Sequence, residues 1–410
     1  MQNSKNISFL VVFMGLLVGL PALTTDIYLP SFPALASFFD TSASSIQMTL
    51  TATMIGVALG QLVIGPLSDR YGRKTPLIVS LAAFIVTTAF IIYTKDVRYF
   101  IALRFVQGFA CSSGMVLSRA VLASTYSGSQ LAKALSINTA ILSVMPTFAP
   151  VVGGVILTFA SWQGQFIFLL IISAVFLISS FGLKESSTKE SVADNSSSSL
   201  GKGLLLLLGN KSYISNVLIF AFAMAVMFAY IASSPFIFQE HYQLSPLLYS
   251  ILFGLNAVAL AIGSLFASRF RNQEKALQLG ALGLIVMSVV LVATLFSGLS
   301  YVFFEMAFFV MFIFNGLIYP SSTTLALGSC QQNAGTASAI LGTTQFLFGG
   351  IVSPLVGIGD ILYSTSVAIV VCSLIVFLLV LQRMLSGNGS TVQLIYVRII
   401  NRLGRVDIKD

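Results

Sequence analysis

The sequence predicts an all-α polytopic membrane protein, with twelve transmembrane helices in two six-helix bundles. Three observations lead there. Of 410 residues, 57% are hydrophobic and only 8% are charged, and the mean hydropathy is +0.96. A soluble chain carries about 25% charged residues, so this one cannot cover itself with side chains that water accepts, and its solvent is lipid. Second, apolar runs recur at about the ~20 residues an α-helix needs to cross ~30 Å of hydrocarbon. Third, one polar break, 184–211, divides the runs six from six; its Ser-rich stretch Asn195-Ser196-Ser197-Ser198-Ser199 reads as a flexible linker.

The first span, 7–33, follows Lys5. It is too long for a signal peptide and is read as an uncleaved first crossing. Spans two and three, 45–67 and 75–94, enclose Gly65-Pro66-Leu67-Ser68-Asp69-Arg70-Tyr71-Gly72-Arg73-Lys74, a charged loop that must lie at the membrane surface. Spans four to six follow at 99–125, 134–159 and 163–183. The second half supplies 212–239, 247–269, 276–297, 301–327, 334–357 and 360–384, before a basic tail, 385–410. The expected units are therefore an N-terminal bundle over 1–183, the linker, a C-terminal bundle over 212–384 and the tail. With the N-terminus in the cytoplasm, nearly all loop Lys and Arg fall on that side, leaving Lys95 and Arg98 outside. That bias places both termini inside. The halves also echo one another: Gly65-Pro66-Leu67…Arg73 has a worn counterpart in Gly263-Ser264-Leu265…Arg271, and related halves commonly hold a transporter's substrate site between them.

Several function classes are excluded. The basic residues form no aromatic-basic stripe for nucleic acid. Cys111, Cys330 and Cys372 form no CxxC pair, and His241 has no metal-ligand company; no metal or cofactor is expected. No Walker-type GxxxxGK[ST] is present. The expected partners are small molecules, protons and lipid, with a monomer as the working unit.

One carboxyl stands inside an apolar run. Asp26 lies in Pro21-Ala22-Leu23-Thr24-Thr25-Asp26-Ile27-Tyr28-Leu29-Pro30-Ser31-Phe32-Pro33. Placing it there costs ~2.5–3.5 kcal/mol on insertion scales, and burial favours the neutral form of any carboxyl. Such a group is suited to exchanging a proton; the alternatives are a structural ion pair or a residue at the outer lip. Pro21, Pro30 and Pro33 remove backbone donors and bend the helix beside it. Arg104 is the matching cation in the fourth span. Gln107 stands on nearly the same face, and Gly108 admits a neighbouring helix. Arg104 either modulates proton binding at Asp26 or centres a structural hydrogen-bond cluster. In the fifth span, Pro146, Pro150, Gly153 and Gly154 suit a hinge or seal between halves, or ordinary close packing. Tyr28, Asn138, Tyr230, Phe236, Phe238, Asn256, Asn315, Tyr319, Gln345 and Phe346 are candidate cavity-lining groups for flat amphipathic molecules. Glu240 and Glu305, near outer span ends, are read as interfacial.

These motifs resemble the major facilitator superfamily. Gly65–Lys74 resembles its signature loop between helices 2 and 3. Arg104-Phe105-Val106-Gln107-Gly108 and Ala149-Pro150-Val151-Val152-Gly153-Gly154 resemble the helix-4 and helix-5 motifs of its drug:proton antiporters, with Ala149 where many carry Gly. Asp26-Ile27-Tyr28-Leu29-Pro30…Pro33, followed by Gln47-Met48-Thr49-Leu50, resembles the Bcr/CflA branch, named for bicyclomycin and chloramphenicol resistance. The resemblance implies the major facilitator fold and efflux of small hydrophobic or amphipathic drugs across the bacterial inner membrane, coupled to proton entry. It implies that protonation of Asp26 alternates with substrate, that Arg104 takes part in coupling, and that Gly65, Asp69, Arg70, Gly72 and Arg73 serve conformational gating, with Asp69 near the start of helix 11. The rivals are a proton-coupled carrier of one metabolite (a nucleobase, amino acid or peptide) and a non-transporting channel or sensor.

Overall fold

The computed structural model describes residues 4–183, 207, 209–329 and 334–387. The linker 184–211 therefore falls almost wholly, and the tail 385–410 largely, outside the described residues, as does Cys330. The first crossing, α1, is broken into Ser4–Val18, Leu20–Asp26, a 3-10 turn Leu29–Ser31, and Phe32–Phe38. It runs five residues past the expected end at 33, because Pro30 and Pro33 start new turns instead of ending the crossing. There follow α2 (Ala43–Tyr71), α3 (Lys74–Tyr93), α4 (Val97–Thr125), α5 (Gly128–Ile156) and α6 (Trp162–Phe181). The second half contains α7 (Lys211–Phe236), which continues as a π turn Ile237–His241, then α8 (Pro246–Ala267), α9 (Gln273–Phe296), α10 (Tyr301–Gly328), α11 (Ala334–Leu355) and α12 (Ile361–Gly387). Eleven of these crossings are long and apolar enough to span a membrane; in α11 the strongly apolar part is the shorter Ile340–Leu355.

Sequence signals set the boundaries. Ser42, Asp96, Asn210, Ser245, Asn272 and Ser300 each accept a hydrogen bond from a first-turn backbone N–H of the helix that follows. Gly72, at φ +81°, ends α2 in a conformation that disfavours a Cβ.

We call the end where α1 begins proximal and the opposite end distal. At the proximal end of the first half, Arg73 donates to the carbonyl of Ala120 near the end of α4, and Lys74 Nζ donates to the carbonyl of Phe181 at 2.7 Å. Cations thus cap the last turns of α4 and α6. The second half has its own knot there: Arg383 of α12 donates to Asn216 of α7 and to Glu274 of α9. At the distal end Phe39, Phe100, Trp162 and Phe166 stack edge to face and gather α1, α4 and α6.

The most deeply buried crossings are α1 and α7, then α4 and α10. Those pairs are equivalent if the halves are repeats. In each half a missing Cβ fuses two helices. A Cβ on Gly108 of α4 would stand 2.1 Å from the Thr53 carbonyl oxygen of α2; one on Gly263 of α8 would stand 2.0 Å from that of Ile313 in α10. Exposed apolar side chains such as Val79, Phe90, Ile171, Ile178, Val289 and Leu378 form the outer surface of α3, α6, α9 and α12. The His241 ring stands exposed at the distal end of the α7 π turn.

Gly108→Val is expected to destabilise the protein by ~1–3 kcal/mol or more through overpacking. Gly342→Ala, where a Cβ meets nothing within 4 Å, is expected to leave stability unchanged. Thermal unfolding in detergent checks both; equal melting temperatures would contradict the packing described.

Candidate functional site

The site is built on the break in α1. The Leu20–Asp26 segment stops short of Tyr28, so the carbonyl of Thr24 loses its continuing helical partner. Arg104 Nη2 donates to that carbonyl at 3.0 Å. Its Nη1 donates to Gln107 Oε1, whose Nε2 donates to Thr88 Oγ1 of α3 at 2.7 Å. The guanidinium carbon lies 4.1 Å from the centre of the Tyr28 ring and 5.7 Å from that of Phe166. A desolvated cation over an aromatic face gains ~2 kcal/mol. Arg104 is fully buried; among the described residues no carboxylate is paired with it and its Nε has no hydrogen-bond partner. The i, i+3 pairing with Gln107 is present, and among the described residues Arg104 centres a hydrogen-bond cluster with no ion pair to Asp26.

Asp26 is buried, 8% exposed, and its Oδ1 accepts from Thr25 Oγ1 at 2.9 Å. Among the described residues it has no ion pair. Of the readings open from sequence, the structural ion pair and the wet outer lip are both absent. Arg104 reaches the same turn two residues earlier, at Thr24. The next carbonyl after Asp26, that of Ile27, lies against Gly153 of α5, where a Cβ would stand 1.8 Å away. Gln165 Nε2 donates to the Gly153 carbonyl at 3.0 Å. The Tyr28 hydroxyl shares a hydrogen bond with Thr49 of α2 at 2.9 Å. The backbone on either side of the carboxyl is thus held by α4, α5 and α2, with α6 bracing α5, around a turn that is not regular helix.

The hydrogen bonds that join the halves between described residues all lie at the distal end. Gln47 Nε2 donates to the Ala232 carbonyl at 2.9 Å, Ser44 Oγ to that of Pro354 at 3.0 Å, Thr51 Oγ1 to that of Gly350 at 2.8 Å, and Gln239 Nε2 to that of Pro30 at 3.0 Å. Gly154 presses on α8, where a Cβ would stand 2.4 Å from Ser250 Oγ. So α2 seals against α11 and α5 against α8, and the distal side is shut. The Pro146–Gly154 segment sits at this seal. At the proximal end α2 runs on to Tyr71, past the expected end at 67, so Gly65 to Arg70 lie within the helix and only Gly72 and Arg73 break it before α3; Arg70 is exposed, and the Asp69 side chain lies outside the described residues.

The candidate cavity residues separate into groups. Asn138 Nδ2 donates to the Met14 carbonyl and to Ser118 Oγ, tying α5 to α1 and α4. Asn315 Nδ2 donates to the Ala223 carbonyl and to the Tyr319 hydroxyl. Phe238 is packed between Tyr242, Tyr249 and Phe304, and Phe236 faces Phe32 across the halves. Tyr28, Tyr230 and Asn256 are also closed in, whereas Tyr319, Gln345 and Phe346 are partly exposed.

One reading is corrected. Glu305 is not interfacial: it is 8% exposed inside the second half, with Oε2 accepting from Asn256 Nδ2 at 3.2 Å and Oε1 without a partner. The same Asn256 Nδ2 donates to the Tyr230 hydroxyl at 2.9 Å. Position near a span end hid it, because the partners that enclose it come from α7 and α8. The sequence did hold one signal: Glu305 follows Arg104 by 201 residues and Tyr230 follows Tyr28 by 202, close to the spacing between the Gly65 and Gly263 segments. Glu240, by contrast, is exposed.

Two broken or distorted inner helices, a buried carboxyl and paired seals between similar halves define a membrane transporter. The family model described as Major Facilitator Superfamily matches residues 12–354. The chain belongs to that superfamily and is a multi-pass membrane protein. It is 36% identical over 358 residues to a protein of Bacillus subtilis (strain 168) named "Uncharacterized MFS-type transporter YdgK", covering 86% of this chain and 89% of that one. It is 30% identical over 367 residues to the bicyclomycin resistance protein homolog of Haemophilus influenzae, covering 87% and 90%. It is 26% identical over 357 residues to multidrug resistance protein D of Escherichia coli (strain K12), covering 87% and 90%. Within the superfamily it thus groups with Bcr/CflA-like transporters. A solved bacterial homologue of the lysosomal transporter Spinster, inward-facing, superposes with a TM-score of 0.73 at 15% identity, over 92% of this chain and 98% of that one, and shares the fold.

Gly154→Leu is expected to wedge α5 off α8 and open the distal side. Labelling of a single cysteine placed at Ser250 by a membrane-impermeant maleimide should then rise several-fold over the Gly154 parent; unchanged labelling would contradict the seal.

Proposed function

We propose that this protein exports small hydrophobic or amphipathic drugs across the bacterial inner membrane in exchange for protons, by alternating access, with both termini in the cytoplasm. The observation that carries this reading is Asp26: a buried carboxyl whose hydrogen-bond partner is a neighbouring threonine and which has no ion pair among the described residues. Holding a bare charge there is costly, so the group is suited to carrying a proton whenever cargo is absent. The helix ends at Asp26, and Arg104 secures its last turn through the Thr24 carbonyl instead of neutralising the acid. The names of the Haemophilus and Escherichia relatives support drugs as the cargo, and the basic loops at the proximal end support the orientation.

In this cycle the proximal side faces the cytoplasm and the distal seal is closed. A drug enters from the cytoplasm and the Asp26 proton leaves to that side. The α2–α11 and α5–α8 seals then exchange ends, and the drug departs as a proton re-enters from outside. One proton moving through ~100 mV releases ~2.3 kcal/mol, enough for roughly a 40-fold gradient of a neutral drug. Four contacts at the distal seal are single hydrogen bonds, two from hydroxyls and two from amides, to backbone carbonyls, each worth about 1 kcal/mol net. Together they exceed what one proton supplies at ~100 mV, so in this cycle contacts formed at the opposite end offset those broken here.

Asp26→Asn is expected to abolish drug movement driven by an imposed pH gradient in proteoliposomes, by at least tenfold, while leaving the melting temperature within a few degrees of wild type. Running the same vesicles with nucleobases, amino acids and peptides separates drug export from carriage of one metabolite. Wild-type rates in the Asn variant would refute the role of Asp26.

A further inference from the structure

We propose that Glu305 is a second proton-carrying carboxyl, placed in the C-terminal half, so that the transport cycle moves a proton on each half of the molecule. The inference rests on the proton-coupled reading above but on different residues. Glu305 projects from the second turn of α10 into the space between α7 and α8. Asn256 of α8 donates to its Oε2, and Oε1 is buried with no partner. An ionised carboxylate in that position would leave one oxygen unsolvated. A protonated one needs no counter-charge, and its hydroxyl finds an acceptor in Asn256 Oδ1, itself buried and unpartnered, after a small rotation.

The surroundings argue for a proton over a larger cation. The Tyr230 ring, 2% exposed, has Phe308, Phe312 and Phe253 at centroid distances of 4.6, 5.0 and 5.5 Å. Phe304 lies 4.9 Å from Phe308. Rings so close leave no volume for an organic ammonium beside the carboxyl, whereas a proton needs none. The titratable groups facing Glu305 are Tyr230 from α7 and Tyr249 from α8, and Tyr249 is within electrostatic range of Asp26 as well. Tyr301 stands one turn earlier on α10. No Lys, Arg or His among the described residues is paired with Glu305. Flanking α11 carries no ionisable side chain, and α9 only Glu274 and Lys275 in its proximal first turn.

Symmetry gives an independent reason. In the first half, α4 presents Arg104 to Tyr28 of α1, whose hydroxyl meets Thr49 of α2. In the second, α10 presents Glu305 toward Tyr230 of α7, both joined by Asn256 of α8. The offsets of 201 and 202 residues place these as equivalent positions. The repeat carries a fixed cation in one half and an acid in the other. The step is a reversible protonation: the Oε–H bond forms with a proton from the side that is open and breaks when Glu305 faces the other.

The test uses full-length protein and the Glu305→Gln variant, which keeps size and hydrogen bonding to Asn256. In proteoliposomes, the drug gradient at which flux reverses is measured against an imposed proton gradient. The expected result is a proton-to-drug ratio lower by one, so that the gradient held at ~100 mV falls by roughly 40-fold. Glu305→Asp should restore the ratio. Infrared difference spectra across a pH titration should show a protonated-carboxyl band that Glu305→Gln removes and Asp26→Asn leaves in place. An unchanged ratio in the Gln variant, or an unchanged band, overturns the proposal. If wild-type flux shows no dependence on the proton gradient, the proton-coupled reading itself fails, and the infrared band alone decides whether Glu305 holds a proton. Should Glu305→Gln fail to fold, Glu305→Asp must shift the band; an unshifted band counts against the proposal.

Discussion

The structure depends on one contact: the guanidinium of Arg104 donating to the carbonyl of Thr24. It exists because the Leu20–Asp26 helix stops and leaves that carbonyl without its helical donor. The cation is held by a ring face, an amide and this carbonyl, with no carboxylate paired to it among the described residues. Its charge is therefore spent on geometry, and Asp26, two residues on, is left unpaired. A salt bridge between the two would have favoured the charged form of the acid. The neighbouring Ile27 carbonyl, pressed by Gly153, and the Tyr28 hydroxyl, shared with Thr49, hold the same turn from α5 and α2. Four helices of one half thus converge on three residues of α1.

The second half repeats the plan with altered chemistry. Helices α4 and α10 lie against α2 and α8 through Gly108 and Gly263, and their buried ionisable groups reach toward tyrosines on α1 and α7. The halves meet through α2 with α11 and α5 with α8, an exchange pattern that a two-fold relation between repeats requires. Between described residues the halves are joined by hydrogen bonds to carbonyls and a glycine contact, all at the distal end. The Phe39–Phe100–Trp162–Phe166 stack and the Arg73, Lys74 and Arg383 knots lie within halves, whereas Phe32 and Phe236 meet across them.

Much of this was legible in the sequence. Hydropathy defined the crossings because lipid admits little else, and Pro21, Pro30 and Pro33 foretold a bent first crossing. Asp26 and Arg104 stood out as charges deep in apolar runs, and the i, i+3 spacing foretold the Gln107 contact. What escaped depends on partners far along the chain. Glu305 lies five residues into its helix, where an acid is ordinarily wet; only Asn256 and Tyr230, from two other helices, close it off. Asn138 looked like a cavity group, yet in this conformation it serves Ser118 and the Met14 carbonyl, a knot that no local pattern encodes. The separation of Arg104 from Asp26 was equally hidden, since it follows from where α1 breaks, to the residue.

The central claim is that a hydrogen ion and a drug compete for one state of the protein through Asp26. The most direct measurement is pH-indicator absorbance in weakly buffered detergent solution as a transported drug is mixed with purified protein. The account predicts proton release that saturates with drug occupancy and that Asp26→Asn diminishes by one proton per molecule. Full drug occupancy with no proton released from the wild type would contradict it.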